Sequence, residues 1–294
     1  MGSVGYGITE LRSMDLLRLS ADIEQMMVRQ NLRGMATLSA HLPTGSYLRV
    51  AQLMVGCKGL VLIGTGFPVA DSFETDGPVG ALVLYKVLEK LGATPLLCCG
   101  DPLFSALKDG YSCLQLPVNS ADAASFAQQF LQQHHPELII SIERPGLAAD
   151  GRYYNMRGQD ISARCANFDV FFQQACCPAI AIGDGGNEIG MGKLYQAVSQ
   201  LAITPSVTGS DELLLADVSN WAAYGVLALV SKLKDAETGC GWLLDCQPKE
   251  LLAYLVERGA VDGVTGLACQ TEDSLPPAHA ELLIADLQRL CFPD

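Results

Sequence analysis

Short, continuous apolar runs alternate with segments of helical periodicity along most of the chain, and this alternation constrains the fold most strongly. The apolar run at residues 59–63 (GLVLI) precedes a helical pattern at 78–91, and the run at 137–142 (ELIISI) precedes another at 162–175. Runs of this length that end at glycine or polar residues are typical of buried strands. The pattern therefore predicts an α/β fold, with a mainly parallel sheet and helices on both faces.

The same patterns divide the rest of the chain. Residues 8–30 have apolar side chains at helical spacing and residues 42–56 form a second expected helix, so we expect an N-terminal helical extension over residues 1–56. No linker is visible, and residues 1–294 are expected to form a single α/β domain with this extension. The remaining predicted strands are 94–99, 113–118, 178–182 and 213–216, and the remaining predicted helices are 102–108, 120–134, the segment from the glycine-rich motif to residue 200, 221–233, 248–257 and 278–291.

Charge and cysteine usage limit the partners and the compartment. The formal net charge is −13, so the surface would repel phosphate backbones and no nucleic-acid partner is expected. No apolar run reaches the length of a membrane span and no secretory signal is visible, so no membrane partner is expected either. The eleven cysteines include no CxxC pair, which favours reduced thiols in a soluble cytoplasmic protein over disulfides or a zinc site.

Polar motifs directly follow three of the predicted strands. They are GTG at residues 64–66, ER at residues 143–144 and GDGGNEIG at residues 183–190. Ligands of parallel sheets gather outside the carboxyl ends of the strands. We therefore expect a functional site where these three motifs meet.

The turn formed by Gly64, Thr65 and Gly66 does not match the dinucleotide fingerprint. Val69 stands where that pattern requires glycine or alanine, and Pro68 lies inside the turn. The exposed amides of such a strand end can still bind an anion. A tight turn without a ligand is equally compatible with the sequence.

Carboxylates in two of the motifs are candidate ligands of a hard cation. Asp184, Asn187 and Glu188 offer oxygen atoms without histidine or cysteine, which suits Mg²⁺, Mn²⁺ or Ca²⁺. A strand-to-helix turn capped by the aspartate or the asparagine is the alternative. Asp76 precedes the predicted helix at 78–91, and its spacing alone favours a helix cap over a metal ligand.

A long polar loop begins at Glu143 and Arg144 and runs to residue 160. Glu143 could bind a metal while Arg144 binds a carboxylate or phosphate of the substrate, and a structural ion pair between them is the alternative. The loop is dense in hydrogen-bonding side chains, which favours a functional role. Its further candidate residues are Asp150, Tyr154, Asn155 and Arg157.

Seven motifs in order along the chain resemble the D-glutamate cyclase-like C-terminal domain family. The resemblance implies an α/β enzyme, a hydro-lyase that interconverts D-glutamate and 5-oxo-D-proline with loss of water. One relative in the family resembles a manganese-dependent phosphatase, so an Mn- or Mg-dependent phosphatase of a small phosphate ester is the alternative, and a non-catalytic metal- or small-acid-binding protein is the third. The motifs are GTGF (64–67), ETDGPVGA (74–81), ERPG (143–146), DGRYYNMRGQDIS (150–162), GDGGNEIGMG (183–192), SNW (219–221) and DGVTG (262–266).

The same side chains could serve either the cyclase or the phosphatase reaction. A divalent cation, Mn²⁺ or Mg²⁺, would polarise the reacting group, and its expected ligands are Asp76, Glu143, Asp184 and Glu188. The expected catalytic residues are Glu188 or Asp150 for proton transfer and Arg144 for charge. The expected partner is a small acidic substrate, and a homo-oligomer is compatible with these features. The expected substrate-binding residues are Gly64, Thr65, Gly66, Arg144, Tyr154, Asn155, Arg157 and Asn187.

Overall fold

Short strands and longer helices alternate along the protein, as the sequence predicts. The structure is a computed structural model, and it describes residues 4–234, 241–244 and 246–293. The strands in these ranges are β1 (Leu60–Thr65), β2 (Pro68–Val69), β3 (Ser72–Phe73), β4 (Thr94–Cys99), β5 (Cys113–Gln115), β6 (Leu138–Ile142), β7 (Ala179–Gly183) and β8 (Glu212–Leu215). The helices there are α1 (Val4–Met27), α2 (Met35–Ser39), α3 (Ser46–Gly56), α4 (Pro78–Leu91), α5 (Leu103–Leu107), α6 (Ala123–His134), α7 (Asp169–Gln174), α8 (Tyr195–Val198) and α9 (Ser219–Leu233), followed by Gly241–Leu244, Pro248–Val256 and Ala278–Cys291, and the 3₁₀ turns are Leu32–Gly34, Ser162–Arg164 and Met191–Leu194.

Six parallel strands form the central sheet, in the order β5-β4-β1-β6-β7-β8. The chain thus starts in the middle of the sheet, moves to one edge, and then returns to build the other half. This is a doubly wound sheet, in which the strand order reverses between β1 and β6. A crevice lies at the carboxyl ends of these two strands, lined by Thr65 and Gly66 on one side and by Arg144 and Pro145 on the other, and ligands of such folds bind at this point. The predicted parallel sheet is confirmed.

Helices cover both faces of this sheet. Val61 and Ile63 of β1 face a core that includes α4 and α9, whereas Leu62 faces a second core built with α6 and α7. Successive side chains of a strand point to opposite faces, so the two cores lie on opposite sides of the sheet. The N-terminal helix α1 packs against α3 and α9. Within the described ranges, no helix combines the length and the apolar character that crossing a membrane requires.

The predicted helix at residues 162–175 is wrong in its first half. Only a 3₁₀ turn and the short α7 form, because the residues between them pass over the end of the sheet. Phe168 is fully buried there against Gly64, where a Cβ would lie 2.2 Å from Cε1 of the ring. The N–H of Asn119 also donates to the carbonyl of Cys165 at 2.9 Å. Tertiary contacts thus override the local helical pattern.

The segment that follows the glycine-rich motif is also less helical than predicted. It contains a 3₁₀ turn and the four-residue α8, and then loses regular structure before β8. Backbone pairing explains this difference, because the carbonyl of Thr208 accepts bonds from Gly190 and Gly192 at 2.8 and 3.0 Å. The small antiparallel hairpin of β2 and β3, which sequence periodicity did not indicate, closes one side of the crevice.

Candidate metal and substrate site

The N-termini of α4 and α9 meet at the carboxyl edge of the sheet and cap each other. Oδ1 of Asn220, in the first turn of α9, accepts hydrogen bonds from the amides of Gly77 and Gly80 at 2.8 and 2.7 Å. Asp76 in turn accepts bonds from the amides of Ser219 and Asn220 at 2.9 and 2.7 Å. These acceptors satisfy amides that a helix N-terminus leaves unpaired. Asp76 is therefore a helix cap, and the helix that it caps is α9.

Carboxylates from well-separated parts of the chain converge beside these helix N-termini. One oxygen from each of Glu143, Asp184 and Glu188 lies within 4.8 Å of the others, and the same is true of Asp76, Asp184 and Asp273. Glu143 directly follows β6 and Asp184 directly follows β7. Asp184 belongs to both groups, so the other three ligands expected from the sequence, Asp76, Glu143 and Glu188, lie around it together with Asp273. We call these five side chains the carboxylate cluster.

Burial and mutual repulsion make this cluster costly to ionise. Asp76 and Glu188 are each 1% exposed. Burial raises the pKa of Asp76 to about 7, and it also raises the pKa of Glu188. For Glu143 and Asp184, burial and the neighbouring carboxylates raise the pKa well above its usual range. Carboxylates with so little water are stabilised by protons or by bound cations.

Arg33 supplies one positive charge to the cluster. Its Nη2 lies 2.5 Å from Oδ2 of Asp184 and 2.6 Å from Oδ2 of Asp273. Burial lowers the pKa of Arg33, but these two carboxylates raise it more, so the guanidinium stays charged. The carboxylate of Asp217 accepts bonds from the amides of residues 30 and 32 at 2.7 and 2.8 Å, and so holds the turn that delivers Arg33. Arg33 itself adopts a φ of 52° in this turn.

Three buried oxygens at the cluster have no hydrogen-bond donor among the described residues. They are Oε1 of Glu74, Oγ1 of Thr65 and Oδ1 of Asn187. Thr65 lies close to Glu143, because a Cβ on Gly77 would be 3.0 Å from Oγ1 of Thr65 and 2.6 Å from Cβ of Glu143. Buried oxygens without donors are costly unless a cation binds them. The donor set, all oxygen and mostly carboxylate, fits Mn²⁺ or Mg²⁺.

The glycines of the motif at residues 183–190 serve tight turns and close backbone packing. Gly186 and Gly190 have φ values of 119° and 99°, which other residues rarely adopt. A Cβ on Gly190 would lie 2.1 Å from that of Ala181 in β7. The amide of Gly186 donates to Oε2 of Glu188 at 2.6 Å. The turn therefore fixes the orientation of Glu188 within the cluster.

Arg144 is a buried bridge between backbone segments. Its Nη1 donates to the carbonyl of Thr65 and its Nη2 to that of Ala166, both at 2.6 Å. The guanidinium carbon also lies 5.3 Å from the centre of the Phe168 ring. Among the described residues, no ion pair joins Arg144 to Glu143, so the structural pair considered from the sequence is not formed.

The polar loop after β6 lies largely at the surface. Oδ2 of Asp150 accepts the Tyr154 hydroxyl at 2.6 Å, which lowers the pKa of Asp150, and Oδ1 of Asn155 accepts the amide of Arg157 at 3.0 Å. Asp150 and Arg157 are exposed, and Asn155 is partly buried. Asn187 links the loop to the cluster, because its Nδ2 donates to the carbonyl of Tyr154 at 2.8 Å.

Several residues that organise the site were missed by sequence reasoning. Asp169 anchors the polar loop by accepting the amide of Leu147 at 2.9 Å and the hydroxyl of Tyr153 at 2.8 Å. An aspartate within the apolar stretch FDVFF was a visible signal that such a role exists. Asp262 of DGVTG folds the turn that carries Asp273, since it accepts the amide of Ser274 at 2.6 Å. The other missed residues are Arg33, Asp217 and Asp273, which no local pattern marks.

The doubly wound sheet, the crevice at its strand reversal and the buried oxygen donors define an α/β protein with a candidate hard-cation site. The sequence matches the family described as "D-glutamate cyclase-like, C-terminal" over residues 23–288. The protein belongs to this family, as its seven motifs indicated.

Two individual proteins show how far the similarity extends. The mitochondrial D-glutamate cyclase of Homo sapiens is 29% identical over 293 residues, which cover 83% of this chain and 48% of that protein. The chain thus spans about half the length of this relative. A solved structure of an exopolyphosphatase-related protein from Bacteroides fragilis has a TM-score of 0.42 and 9% sequence identity, and the match covers 85% of this chain and 61% of that one.

Proposed function

We propose that this protein is a lyase that interconverts D-glutamate and 5-oxo-D-proline, releasing one water in the direction of ring closure. The family membership and the name of the human relative support this choice of reaction. The observation that carries it is the convergence of Glu143, Asp184 and Glu188, with Asp76 beside them, at the edge of the sheet where ligands bind.

The first requirement of the proposal is a divalent cation, Mn²⁺ or Mg²⁺. Arg33 contacts two of the three carboxylates in the group of Asp76, Asp184 and Asp273, but only Asp184 in the other group. We therefore assign the cation to Glu143, Asp184 and Glu188. When bound, such a cation supplies Lewis-acid polarisation of the substrate's side-chain carboxyl group.

The second requirement is proton transfer during ring closure. The amine nitrogen bonds to the side-chain carboxyl carbon, one carbon–oxygen bond breaks, and the oxygen leaves as water with two protons from the ammonium group. Glu188 is the residue that we expect to carry a proton between these atoms, because the amide of Gly186 holds one of its oxygens and fixes the side chain beside Glu143 and Asp184. Asp150 is less suited, because its pKa is lowered by Tyr154 and its contacts lie within the exposed loop. Holding the substrate chain folded supplies further rate enhancement.

Turnover assays test this proposal directly. The purified protein is incubated with Mn²⁺ or Mg²⁺ and with D-glutamate, 5-oxo-D-proline or p-nitrophenyl phosphate, and ring closure and phosphate release are followed separately. We expect conversion of the first two compounds and none of the ester. Turnover of the ester alone would establish the phosphatase alternative, and metal binding without any turnover would establish the binding protein.

A matched pair of variants tests the role of Glu188. We expect Glu188→Gln to lower kcat about 10²- to 10⁴-fold, the usual contribution of a general acid–base group. Asp150→Asn should change kcat less than threefold. Equal losses in both variants would contradict the assignment, and thermal melts establish that both variants are folded.

A further inference from the structure

The crevice at the carboxyl ends of the strands, which we call the cleft, lies beside the carboxylate cluster and has no role in the chemistry above. It lies at the carboxyl ends of β1 and β4 and is closed by the β2–β3 hairpin and by residues 164–166. Thr65 borders both the cleft and the cluster, because it lines the cleft while its Oγ1 lies near Glu143. A molecule in the cleft therefore lies next to the proposed reaction centre.

Three charged residues line this cleft, and they differ in how far protein groups satisfy them. Arg144 donates both terminal nitrogens to backbone carbonyls, but its buried Nε has no hydrogen-bond partner among the described residues. Asp101 accepts the hydroxyl of Ser105 at 2.6 Å and Nε2 of Gln115 at 2.7 Å. The third charged residue, Arg164, is the one whose terminal nitrogens are not both engaged by the protein.

Arg164 has donors to spare. Its Nη2 donates to the carbonyl of Ser72 at 3.0 Å, and in the described part of the chain it forms no ion pair with a carboxylate. Its side chain is half-buried at the cleft. A guanidinium in this situation is suited to bind a carboxylate through two parallel hydrogen bonds.

A second observation at the cleft also points to a ligand. Arg144 lines the cleft, and its buried Nε has no hydrogen-bond partner among the described residues. A buried N–H without an acceptor is costly, and a carboxylate oxygen of a ligand would satisfy it. The cleft thus offers the guanidinium of Arg164 and an unsatisfied N–H of a second arginine.

We propose that Arg164 binds the carboxylate of the substrate that does not react, the α-carboxylate of D-glutamate and of 5-oxo-D-proline. This proposal rests on the proposed function, since it places the two ends of one substrate in the cleft and at the cluster. It replaces the two arginines expected from the sequence. The two terminal nitrogens of Arg144 are engaged by carbonyl groups, which leaves only its Nε, and Arg157 lies on the exposed loop.

The test compares an acid with its neutral amide. Binding of 5-oxo-D-proline and of 5-oxo-D-prolinamide is measured by calorimetry in the presence of Mn²⁺, for wild type, Arg164→Gln and Arg164→Lys. We expect wild type to bind the acid about 10- to 100-fold more tightly than the amide, because one charged hydrogen-bonding group is lost in the amide. Arg164→Gln should lose this preference, and Arg164→Lys should keep part of it. In turnover, Arg164→Gln should raise KM far more than it lowers kcat.

Arg152→Gln is the matched control, since this arginine lies nearby in sequence, is 61% exposed and makes only long surface contacts. It should retain the acid preference. Retention of the preference in Arg164→Gln overturns the proposal, as does a wild type that binds neither compound. Binding of the acid without turnover by wild type, together with no binding by Arg164→Gln, would support the carboxylate site and contradict the proposed cyclase function. Displacement of the acid by micromolar inorganic phosphate would make this a phosphate site and overturn the carboxylate assignment.

Discussion

Arg33→Met removes the positive charge that balances the carboxylate cluster. The guanidinium lies 2.5 Å from Asp184 and 2.6 Å from Asp273, and these carboxylates are 6% and 9% exposed. Removing one partner of a buried ion pair costs about 3–5 kcal/mol, because the other charge is left unpaired. Arg33 is itself 24% exposed, so we expect the lower end of this range, about 3 kcal/mol. For a chain of 294 residues the melting temperature would fall by about 5 °C.

Thermal and urea unfolding at pH 8 in EDTA measure this loss. Arg29→Met is the matched control, because Arg29 lies in the same part of the chain but pairs with Asp286 while 44% exposed. Exposed pairs contribute at most about 1 kcal/mol, so this variant should unfold close to wild type. Equal stability of the two variants would refute the claim that Arg33 balances the cluster.

Mn²⁺ provides a second measurement on the same variants. Asp76, Asp184 and Asp273 present oxygens within 4.8 Å of one another, and Arg33 contacts two of the three residues. Without the guanidinium, this group becomes available to a second cation. We therefore expect bound Mn²⁺ to rise from one to two ions per chain in Arg33→Met, and Mn²⁺ to restore much of its lost stability. Unchanged stoichiometry would show that Arg33 does not take the place of an ion.

Three further perturbations test other parts of the site. Asp184→Asn should abolish the rise in melting temperature that Mn²⁺ causes, whereas Asp150→Asn should retain it, and loss of the rise in both would contradict the ligand assignment. Asn220→Ala should lower the free energy of unfolding by about 2–3 kcal/mol in urea titrations, because two buried helix amides lose their acceptor. The raised pKa of Asp76, about 7, stabilises the metal-free fold below pH 4, and this contribution is lost as the pH rises to 7. In EDTA the melting temperature should therefore fall between pH 5 and pH 8, and a rise over that interval would contradict burial as the cause.

The sheet and its carboxyl-edge motifs could be predicted because they depend on local patterns. Apolar runs mark β1, β6 and β7, and any polar residue just beyond such a run lies at the ligand-binding edge of the sheet. Glu143 and Asp184 were found in this way. The prediction of a helix at residues 162–175 was wrong because the structure there depends on a contact that is distant in sequence. Phe168 packs against Gly64 of β1.

The charge balance of the site could not be predicted, because its members are brought together by the fold alone. Arg33 and Asp184 are 151 positions apart, and Arg33 and Asp273 are 240 apart. No spacing rule connects such residues. Arg33 follows the N-terminal helix in a region where the sequence shows no motif, and Asp273 lies beyond the last predicted motif.

The cap and ligand interpretations of Asp76, which the sequence presents as alternatives, are compatible in the folded protein. Its two oxygens accept hydrogen bonds from backbone amides at the N-terminus of α9. The N-terminus of a helix carries a partial positive charge. The N-terminus of α4 lies beside Asp76, and Arg33 adds one full charge to the cluster. These contributions lower the cost of ionising Asp76, yet its pKa is still raised by burial, so the protein's own positive charge does not balance the cluster. Arg33 does not contact Glu143, whose pKa is raised well above its usual range by burial and by Glu188 and Asp76, and a divalent cation bound there would stabilise the protein.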